Sequence, residues 1–106
     1  MNQLQPNEIQ ARIAAGESLT LVDVRELDEW EYCRLPGALL RPLSEIASWE
    51  SELAALPGEL VIYCHHGVRS ARVCARLIAL GHPGPINLAG GIDRWSMTVD
   101  PNLPRY

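Results

Sequence analysis

The fold class is clearest from one stretch of the chain, Leu60-Val61-Ile62-Tyr63-Cys64-His65-His66-Gly67-Val68-Arg69-Ser70. Its first four residues are an unbroken apolar run, which is the pattern of a buried central strand. A helix pattern follows from Val68 to Leu80, and it ends at Gly81 and Pro83. Because a buried strand that leads directly into a helix is the repeating unit of α/β proteins, this stretch predicts a parallel sheet.

The same alternation runs through the rest of the chain. Strand patterns cover 19–24, 38–40 and 86–88, and the residues before Pro6 suffice only for an edge strand. Helix patterns cover 6–15, a short acidic stretch around Trp30, 44–56, and a segment around Trp95 that Gly90-Gly91 opens; residues 100–106 are predicted to be extended. We therefore expect residues 1–106 to form one α/β domain with a mostly parallel sheet of four to five strands and helices on both faces.

Composition and charge exclude several classes of protein. The net charge of −4 over 106 residues disfavours a nucleic-acid-binding protein. No apolar run is long enough to span a membrane, and the polar start, Met1 to Pro6, is not a secretory signal. All 9 basic residues are arginine, which excludes lysine Schiff bases and the P-loop lysine. We expect a cytoplasmic protein, and a monomer because no long exposed apolar surface is predicted.

The three cysteines are Cys33, Cys64 and Cys74, and their spacing contains no C-x-x-C pair. This pattern disfavours a zinc ribbon, a thioredoxin-type redox pair and a disulfide framework. Cys74 falls on the apolar side of its helix and is predicted to be buried core. Cys33 is interpreted as a small residue near a turn, with a second reactive thiol as the alternative.

Cys64 lies where ligands bind in open α/β sheets, at the carboxyl end of a strand. Loop amides and the start of the following helix both favour thiolate over thiol at that position. Gly67 allows a positive φ that makes the amides converge, Arg69 adds a permanent charge, and His65 and His66 add hydrogen bonds or partial charge. A buried core cysteine is the alternative, but so many polar neighbours favour a nucleophile at the floor of an anion site.

The chain resembles single-domain rhodanese-like proteins. Motifs in the order of that family carry the resemblance: Leu21-Val22-Asp23-Val24-Arg25-Glu26, Leu35-Pro36-Gly37-Ala38, Cys64-His65-His66-Gly67-Val68-Arg69-Ser70, and Leu88-Ala89-Gly90-Gly91 with Trp95. The resemblance implies a sulfurtransferase in which Cys64 accepts a sulfane sulfur as a persulfide and passes it on. The family often has Gly-His where this chain has Cys33-Arg34.

On this interpretation Cys64 is catalytic, and Asp23 and Arg25 support the loop as a buried ion pair. The substrate-binding residues are those of the loop: His65, His66, Gly67, Val68, Arg69 and Ser70. Arg69 would bind a small anionic sulfur donor such as thiosulfate. The acceptor would be a thiol or cyanide, with thioredoxin among the candidates, and no metal or organic cofactor is expected.

Two alternatives come from other functional classes. One is a non-catalytic rhodanese-like interaction or regulatory module, which the retained Cys64, Gly67 and Arg69 disfavour. The other is a small cysteine phosphatase or arsenate reductase. That chemistry uses five residues between cysteine and arginine to hold a tetrahedral anion, whereas Cys64 and Arg69 have only the four residues 65–68 between them.

Several other residues have a structural interpretation. Arg69, Arg72 and Arg76 share one helix face, which is either a solvated surface or a positive stripe that steers anions. His82, between Gly81 and Pro83, is predicted to be a surface turn residue. The tryptophans fall at apolar helix positions and are predicted to be core or half-buried anchors: Trp30, Trp49 and Trp95.

Overall fold

The structure, a computed structural model, describes residues 2–106 as strands and helices in alternation. The strands are β1 (Asn2–Leu4), β2 (Leu19–Asp23), β3 (Leu39–Leu40), β4 (Glu59–Tyr63) and β5 (Ile86–Leu88). The helices are α1 (Pro6–Ala14), α2 (Leu27–Tyr32), α3 (Ile46–Ala54), α4 (Val68–Ala79) and α5 (Gly91–Thr98). The strands form one parallel sheet in the order β1-β5-β4-β2-β3, which confirms the predicted fold class.

The ends of the helices follow from local chemistry. Pro6 occupies the first turn of α1, and Glu8 accepts a hydrogen bond from the backbone N–H of Gln5 at 2.9 Å. The helix predicted over 44–56 is shorter in the structure, because Leu43–Glu45 form a 3₁₀ turn and α3 begins at Ile46. Element boundaries therefore differ from the predictions by a few residues, whereas element types agree.

Successive side chains of a strand point to opposite faces of the sheet, and this divides the core into two clusters, one on each face. From β4, Val61 and Tyr63 join a cluster with Ile9 of α1 and Trp95 of α5. The residues of opposite parity join a second cluster with α3 and α4: Leu60, Ile62 and Cys64. Cys64 thus points to the α4 side of the sheet, toward the helix that begins four residues after it.

The strand order creates a crevice between β2 and β4. The connection after β2 leads outward to β3, whereas the connection after β4 leads in the opposite direction, to β5. Ligands of open α/β sheets bind where successive connections diverge in this way. The crevice lies at the carboxyl ends of both strands, where Asp23 ends β2 and Cys64 follows β4.

The prediction for His82 is wrong, because its side chain is buried and only 4% exposed. Gly81 has a φ of 102°, and the N–H of His82 donates to the carbonyl oxygen of Leu77 at 2.9 Å. This six-residue bond ends α4 in a Schellman motif, which turns the following side chain toward the helix. The imidazole Nδ1 then accepts a hydrogen bond from the N–H of Gly84 at 3.2 Å.

The other structural predictions agree with the coordinates. Cys74 is fully buried, and Trp49 and Trp95 are core residues. Trp30 is half-buried, with the Arg34 guanidinium 4.9 Å from its ring centre. Among residues 2–106, no helix has the length and apolar character needed to cross a membrane.

Candidate active site

The Cys64 sulfur lies at the floor of the loop that joins β4 to α4. The residue is only 1% exposed, and its Sγ accepts hydrogen bonds from the N–H groups of Gly67 at 3.1 Å and Ser70 at 3.4 Å. The hydroxyl oxygen of Ser70 lies 3.3 Å from the same sulfur. Two amides and a hydroxyl therefore surround the sulfur, which is an environment that stabilises negative charge on it.

Gly67 gives the loop its shape. Its φ of 103° lies in the left-handed region, where a side chain is strained, and it is the residue that immediately precedes α4. This turn reverses the chain within three residues, so that the Gly67 amide returns to the sulfur of Cys64. The predicted positive φ at Gly67 is confirmed.

A buried asparagine on the neighbouring strand holds the loop from behind. Asn87 of β5 accepts a hydrogen bond from the Ser70 hydroxyl at 2.6 Å. Its side-chain amide donates to the carbonyl oxygen of Gly67 at 3.2 Å and to the side chain of Gln3 at 3.1 Å. Our interpretation of the sequence missed Asn87, although a polar residue inside the short apolar strand Ile86-Asn87-Leu88 requires buried partners.

The Ser70 hydroxyl links this framework to the ionisation of Cys64. It has one proton, which in the structure is directed to Asn87. With the proton there, the Ser70 oxygen can accept from a Cys64 thiol, and rotation about the Cβ–Oγ bond would instead direct the hydroxyl to the sulfur. Ser70 can therefore stabilise either protonation state of Cys64 by rotation of a single bond.

Helix α5 packs against the back of the loop. The N–H groups of Ile92 and Asp93 donate to the carbonyl oxygens of Cys64 at 2.9 Å and His65 at 3.1 Å. Gly91 permits this close approach, because a Cβ at that position would lie 2.5 Å from the Cys64 carbonyl oxygen and closer still to that of His65. The Gly90-Gly91 pair thus allows α5 to pack directly against the backbone of the Cys64 loop.

Asp23 and Arg25 form the predicted buried ion pair beside the loop. Both side chains are fully buried, with Arg25 Nη2 2.7 Å from Asp23 Oδ2 and Nε 3.0 Å from Oδ1. Arg25 also donates to the carbonyl oxygen of Cys33 at 2.6 Å and to the hydroxyl of Tyr106 at 2.8 Å. Burial acts to lower the pKa of Arg25, but the hydrogen bonds to Asp23 and Tyr106 outweigh it and raise that pKa.

Arg69 does not face open solvent; it pairs with Glu29 of α2. Its two terminal nitrogens donate to the two carboxylate oxygens at 2.7 and 3.0 Å. The hydrogen bonds from Arg69 are the main reason why the pKa of Glu29 falls to about 2. The role of Arg69 as a donor-binding residue stays a prediction, and our sequence interpretation missed Glu29 as its partner.

The segment 100–106 lies over the rim of this site. The prediction that it is extended is wrong for its first half, because the N–H of Leu103 donates to the carbonyl oxygen of Asp100 at 3.1 Å and closes a turn. The Tyr106 hydroxyl donates to Glu29 at 2.6 Å, and its ring stacks on His65 with ring centres 3.9 Å apart and planes 5° apart. Arg105 pairs with Asp93 at 2.8 Å, and Cys33 Sγ donates to the carbonyl oxygen of Pro104 at 3.6 Å. The sequence pattern gave no indication of these contacts.

The two histidines differ in environment. His65 has a buried Nε2 without a partner among residues 2–106, and burial, together with the charge of His66, lowers its pKa. His66 is 61% exposed, with Nε2 3.8 Å from an oxygen of Asp93. These three side chains bring possible metal-ligand atoms within 4.8 Å of one another, but Arg105 already binds both oxygens of Asp93.

The remaining loop and helix residues are on the surface. Val68 is 64% exposed beside the loop. Of the three arginines on one face of α4, Arg69 pairs with Glu29 and Arg76 pairs with Glu50 at 2.9 Å. Arg72 is exposed, so acidic partners neutralise most of the face that was considered as a positive stripe.

Known proteins resemble this chain in sequence over most of its length. The chain is 37% identical over 105 residues to "Probable adenylyltransferase/sulfurtransferase MoeZ" of Mycobacterium tuberculosis, which covers 97% of this chain and 26% of that protein. It therefore spans about a quarter of that relative's length. It is 34% identical over 96 residues to a "Sulfurtransferase" of Allochromatium vinosum, covering 91% and 89% of the two chains.

Solved structures and a family model extend these likenesses to the whole fold. A rhodanese-like domain protein from Staphylococcus aureus superposes with a TM-score of 0.82 at 28% identity, over 100% of this chain and 99% of that one. The family model described as "Rhodanese-like domain" matches residues 5–98, which include every strand after β1 and the Cys64 loop. The chain belongs to the rhodanese-like domain family.

Proposed function

We propose that this chain is a sulfurtransferase in which Cys64 carries the transferred sulfur as a persulfide. The observation that carries the proposal is the position of Cys64 Sγ at the end of the central strand, under the amides of Gly67 and Ser70. Family membership supports it, as do the two relatives whose names contain "sulfurtransferase". Cys64 is the catalytic residue of the proposal, and the loop residues 65–70 bind the substrate.

In the first half-reaction, the Cys64 thiolate attacks the outer sulfur of an anionic donor such as thiosulfate. A bond forms between the two sulfurs, the S–S bond of the donor breaks, and its electron pair leaves with sulfite. One negative charge remains on the outer sulfur of the persulfide, as it was on the thiolate. The amides of Gly67 and Ser70 stabilise this charge without reorganisation, which lowers the barrier in the manner of an oxyanion hole.

In the second half-reaction, an acceptor attacks the outer sulfur. Cyanide leaves as thiocyanate, and a thiolate, such as that of thioredoxin, leaves as a persulfide; in both cases the electron pair of the broken bond returns to Cys64. The enzyme therefore alternates between two covalent states and is expected to follow ping-pong kinetics. Neither half-reaction requires a metal or an organic cofactor.

The proposal is tested by incubating the chain with thiosulfate and measuring its intact mass. We expect a gain of one sulfur atom that cyanide removes, and we expect Cys64→Ser to lose it while its urea unfolding transition stays cooperative. Cys33→Ser is the matched control, because it removes another buried cysteine and should keep the adduct. An adduct that persists in Cys64→Ser would contradict the assignment of the nucleophile.

The wild-type and variant proteins of this experiment also distinguish sulfur transfer from the two alternative functions. Hydrolysis of an aryl phosphate with no sulfur adduct would favour the cysteine phosphatase or arsenate reductase class over sulfur transfer. A folded chain with neither activity, for any donor tried, would favour the non-catalytic module. The short loop of four residues between Cys64 and Arg69 supports the sulfurtransferase in this comparison.

A further inference from the structure

The pairing of Arg69 with Glu29 bears on the choice of sulfur donor, and the inference rests on the proposed sulfur transfer at Cys64. We propose that Glu29 is a specificity-determining residue. By holding both terminal nitrogens of Arg69, it makes the site discriminate against doubly charged donors such as thiosulfate. The favoured donor class is then singly charged or neutral, such as an organic thiosulfonate or a thiol-borne persulfide.

The geometry gives Arg69 a carboxylate partner of opposite charge. Its two terminal nitrogens hold both oxygens of Glu29 at 2.7 and 3.0 Å, which neutralises the charge that a free arginine would offer an anion. The Arg69 side chain is 32% exposed and the Glu29 side chain 17%, so solvent screens this pair only in part. An incoming dianion has to displace the carboxylate or approach a neutral pair.

Further contacts hold Glu29 in this position. The Tyr106 hydroxyl donates to its second oxygen at 2.6 Å and itself accepts from Arg25 at 2.8 Å. The chain Arg25–Tyr106–Glu29–Arg69 therefore runs from the buried ion pair to the loop arginine. Because Arg25 is also fixed by Asp23, moving Glu29 away from Arg69 disturbs several hydrogen bonds together.

The other arginines that contact this segment are also paired with carboxylates. Asp23 compensates Arg25, and Asp93 compensates Arg105. A cavity of about 210 Å³ beside the pair is lined by two acids and two tyrosines: Asp28, Glu29, Tyr32 and Tyr106. A donor with two negative charges meets twice the repulsion from Glu29 that a singly charged donor meets.

The two donor types allow a matched comparison. The thiolate of Cys64 and thiosulfate give a persulfide and sulfite, with three negative charges on each side. The same thiolate and methanethiosulfonate give the same persulfide and methanesulfinate, with two negative charges on each side. The bond formed and the bond broken are of the same type, so the ratio of the two rates reports the response to one charge.

The first experiment measures kcat/KM for both donors in the wild type and in Glu29→Gln, with cyanide as acceptor. We expect Glu29→Gln to raise kcat/KM for thiosulfate about three- to tenfold and to change that for methanethiosulfonate less than twofold. Glu31→Gln removes the same charge from an exposed position on α2 outside these contacts, and it should leave the ratio unchanged. The gain should disappear in the double variant Glu29→Gln/Arg69→Gln, and an unchanged donor ratio in Glu29→Gln would overturn the proposal.

The salt dependence of the wild-type kcat/KM tests the proposal without relying on a variant that has to fold. If Arg69 is neutralised, kcat/KM for thiosulfate should stay flat or rise as NaCl increases, whereas a free arginine that attracts a dianion gives a steep fall. That steep fall would overturn the proposal.

A third measurement reports the field at Cys64 without sulfur transfer. Peptide mass gives the rates at which iodoacetate, which is charged, and iodoacetamide, which is neutral, alkylate Cys64. Glu29→Gln should raise the ratio of the iodoacetate rate to the iodoacetamide rate severalfold. Glu31→Gln should leave this ratio unchanged. An unchanged ratio would contradict the role of Glu29 even if Cys64 forms a persulfide. A raised ratio with no persulfide from any donor would support the field of Glu29 and remove the proposed sulfur transfer.

Discussion

Asn87 and Gly67 are joined across two elements by a hydrogen bond of 3.2 Å, in which the side-chain amide of Asn87 donates to the carbonyl oxygen of Gly67. Because the N–H of Gly67 donates to Cys64 Sγ, this bond anchors the residue that supplies one of the two amides on the sulfur. The Cys64 loop is thus held by the neighbouring strand β5 as well as by its own backbone.

We expect Asn87→Ala to weaken both the fold and the proposed activity. It leaves the Gly67 carbonyl and the Ser70 hydroxyl without their buried partner, which costs about 1–3 kcal/mol of the free energy of unfolding. Urea unfolding gives that energy, and the rate of persulfide formation from thiosulfate should fall more than tenfold. Asn7→Ala on the exposed face of α1 is the control, and equal effects of the two variants would contradict the role of Asn87.

Alanine substitutions at Gly91 and Gly81 distinguish the cost of backbone strain from the cost of a steric clash. Both have a positive φ, of 62° and 102°, but a Cβ at Gly81 meets nothing within 4 Å, whereas one at Gly91 meets the Cys64 carbonyl oxygen at 2.5 Å. We expect Gly81→Ala to cost about 1–2 kcal/mol from φ alone and Gly91→Ala to cost at least about 2 kcal/mol more. Chemical denaturation measures both, and similar losses would show that α5 does not restrain the loop.

The stability of the fold at acidic pH depends on the ionisation of Glu29. Its pKa is lowered from 4.5 to about 2 in the folded chain, mainly by the hydrogen bonds from Arg69. A lowered carboxyl pKa stabilises the fold above pH 4.5, and this stabilisation is lost as the pH falls toward 2. Glu29→Gln should therefore be less stable than the wild type by about 1–2 kcal/mol at pH 7, with the difference shrinking between pH 4.5 and 2.

Unfolding free energies across that pH range check this prediction, with Glu31→Gln as the exposed control on the same helix. A difference between wild type and Glu29→Gln that stays constant with pH would show that the Glu29 carboxylate contributes no ionic stabilisation.

Tyr106 contributes through both its ring and its hydroxyl. Tyr106→Phe keeps the stack on His65 but removes the hydrogen bonds to Glu29 and Arg25, so we expect a loss of about 1–2 kcal/mol in urea unfolding. Tyr32→Phe is the matched control, since Tyr32 meets the Tyr106 ring only edge to face and is 57% exposed. Equal stability of the Tyr106 variant and the wild type would mean that the hydroxyl bonds are not formed in solution.

The fold and the reactive loop were predictable because their signals are local. The run from Leu60 to Tyr63 is apolar without a break, and Gly67 is the residue type that a left-handed turn favours. The ion pair of Asp23 and Arg25 also follows from position, since both residues lie at the carboxyl end of a buried strand. In each case neighbouring residues decide the conformation, so a linear pattern contains the information.

The missed residues have partners that are distant in sequence. Glu29 meets Arg69 across 40 residues, and Tyr106 meets Arg25 across 81 residues. Neither contact leaves a periodic pattern, because each depends on how α2 and the final segment pack on the finished sheet. The prediction for His82 is wrong for a different reason. Its neighbours Gly81 and Pro83 indicate a surface turn, but the Schellman bond to Leu77 turns its side chain inward.

The division of the core between the two faces of the sheet bears on whether Cys33 or Cys74 can act as a partner of Cys64 in sulfur exchange. Cys33 belongs to the cluster on the opposite face from Cys64, so the two sulfurs cannot join in a disulfide without disrupting the sheet. Cys74 shares the face of Cys64, but burial raises its pKa to about 12, so it stays a thiol at neutral pH. Neither cysteine is therefore placed to resolve a persulfide on Cys64, so the proposed transfer needs an acceptor, thiol or cyanide, that arrives from another molecule.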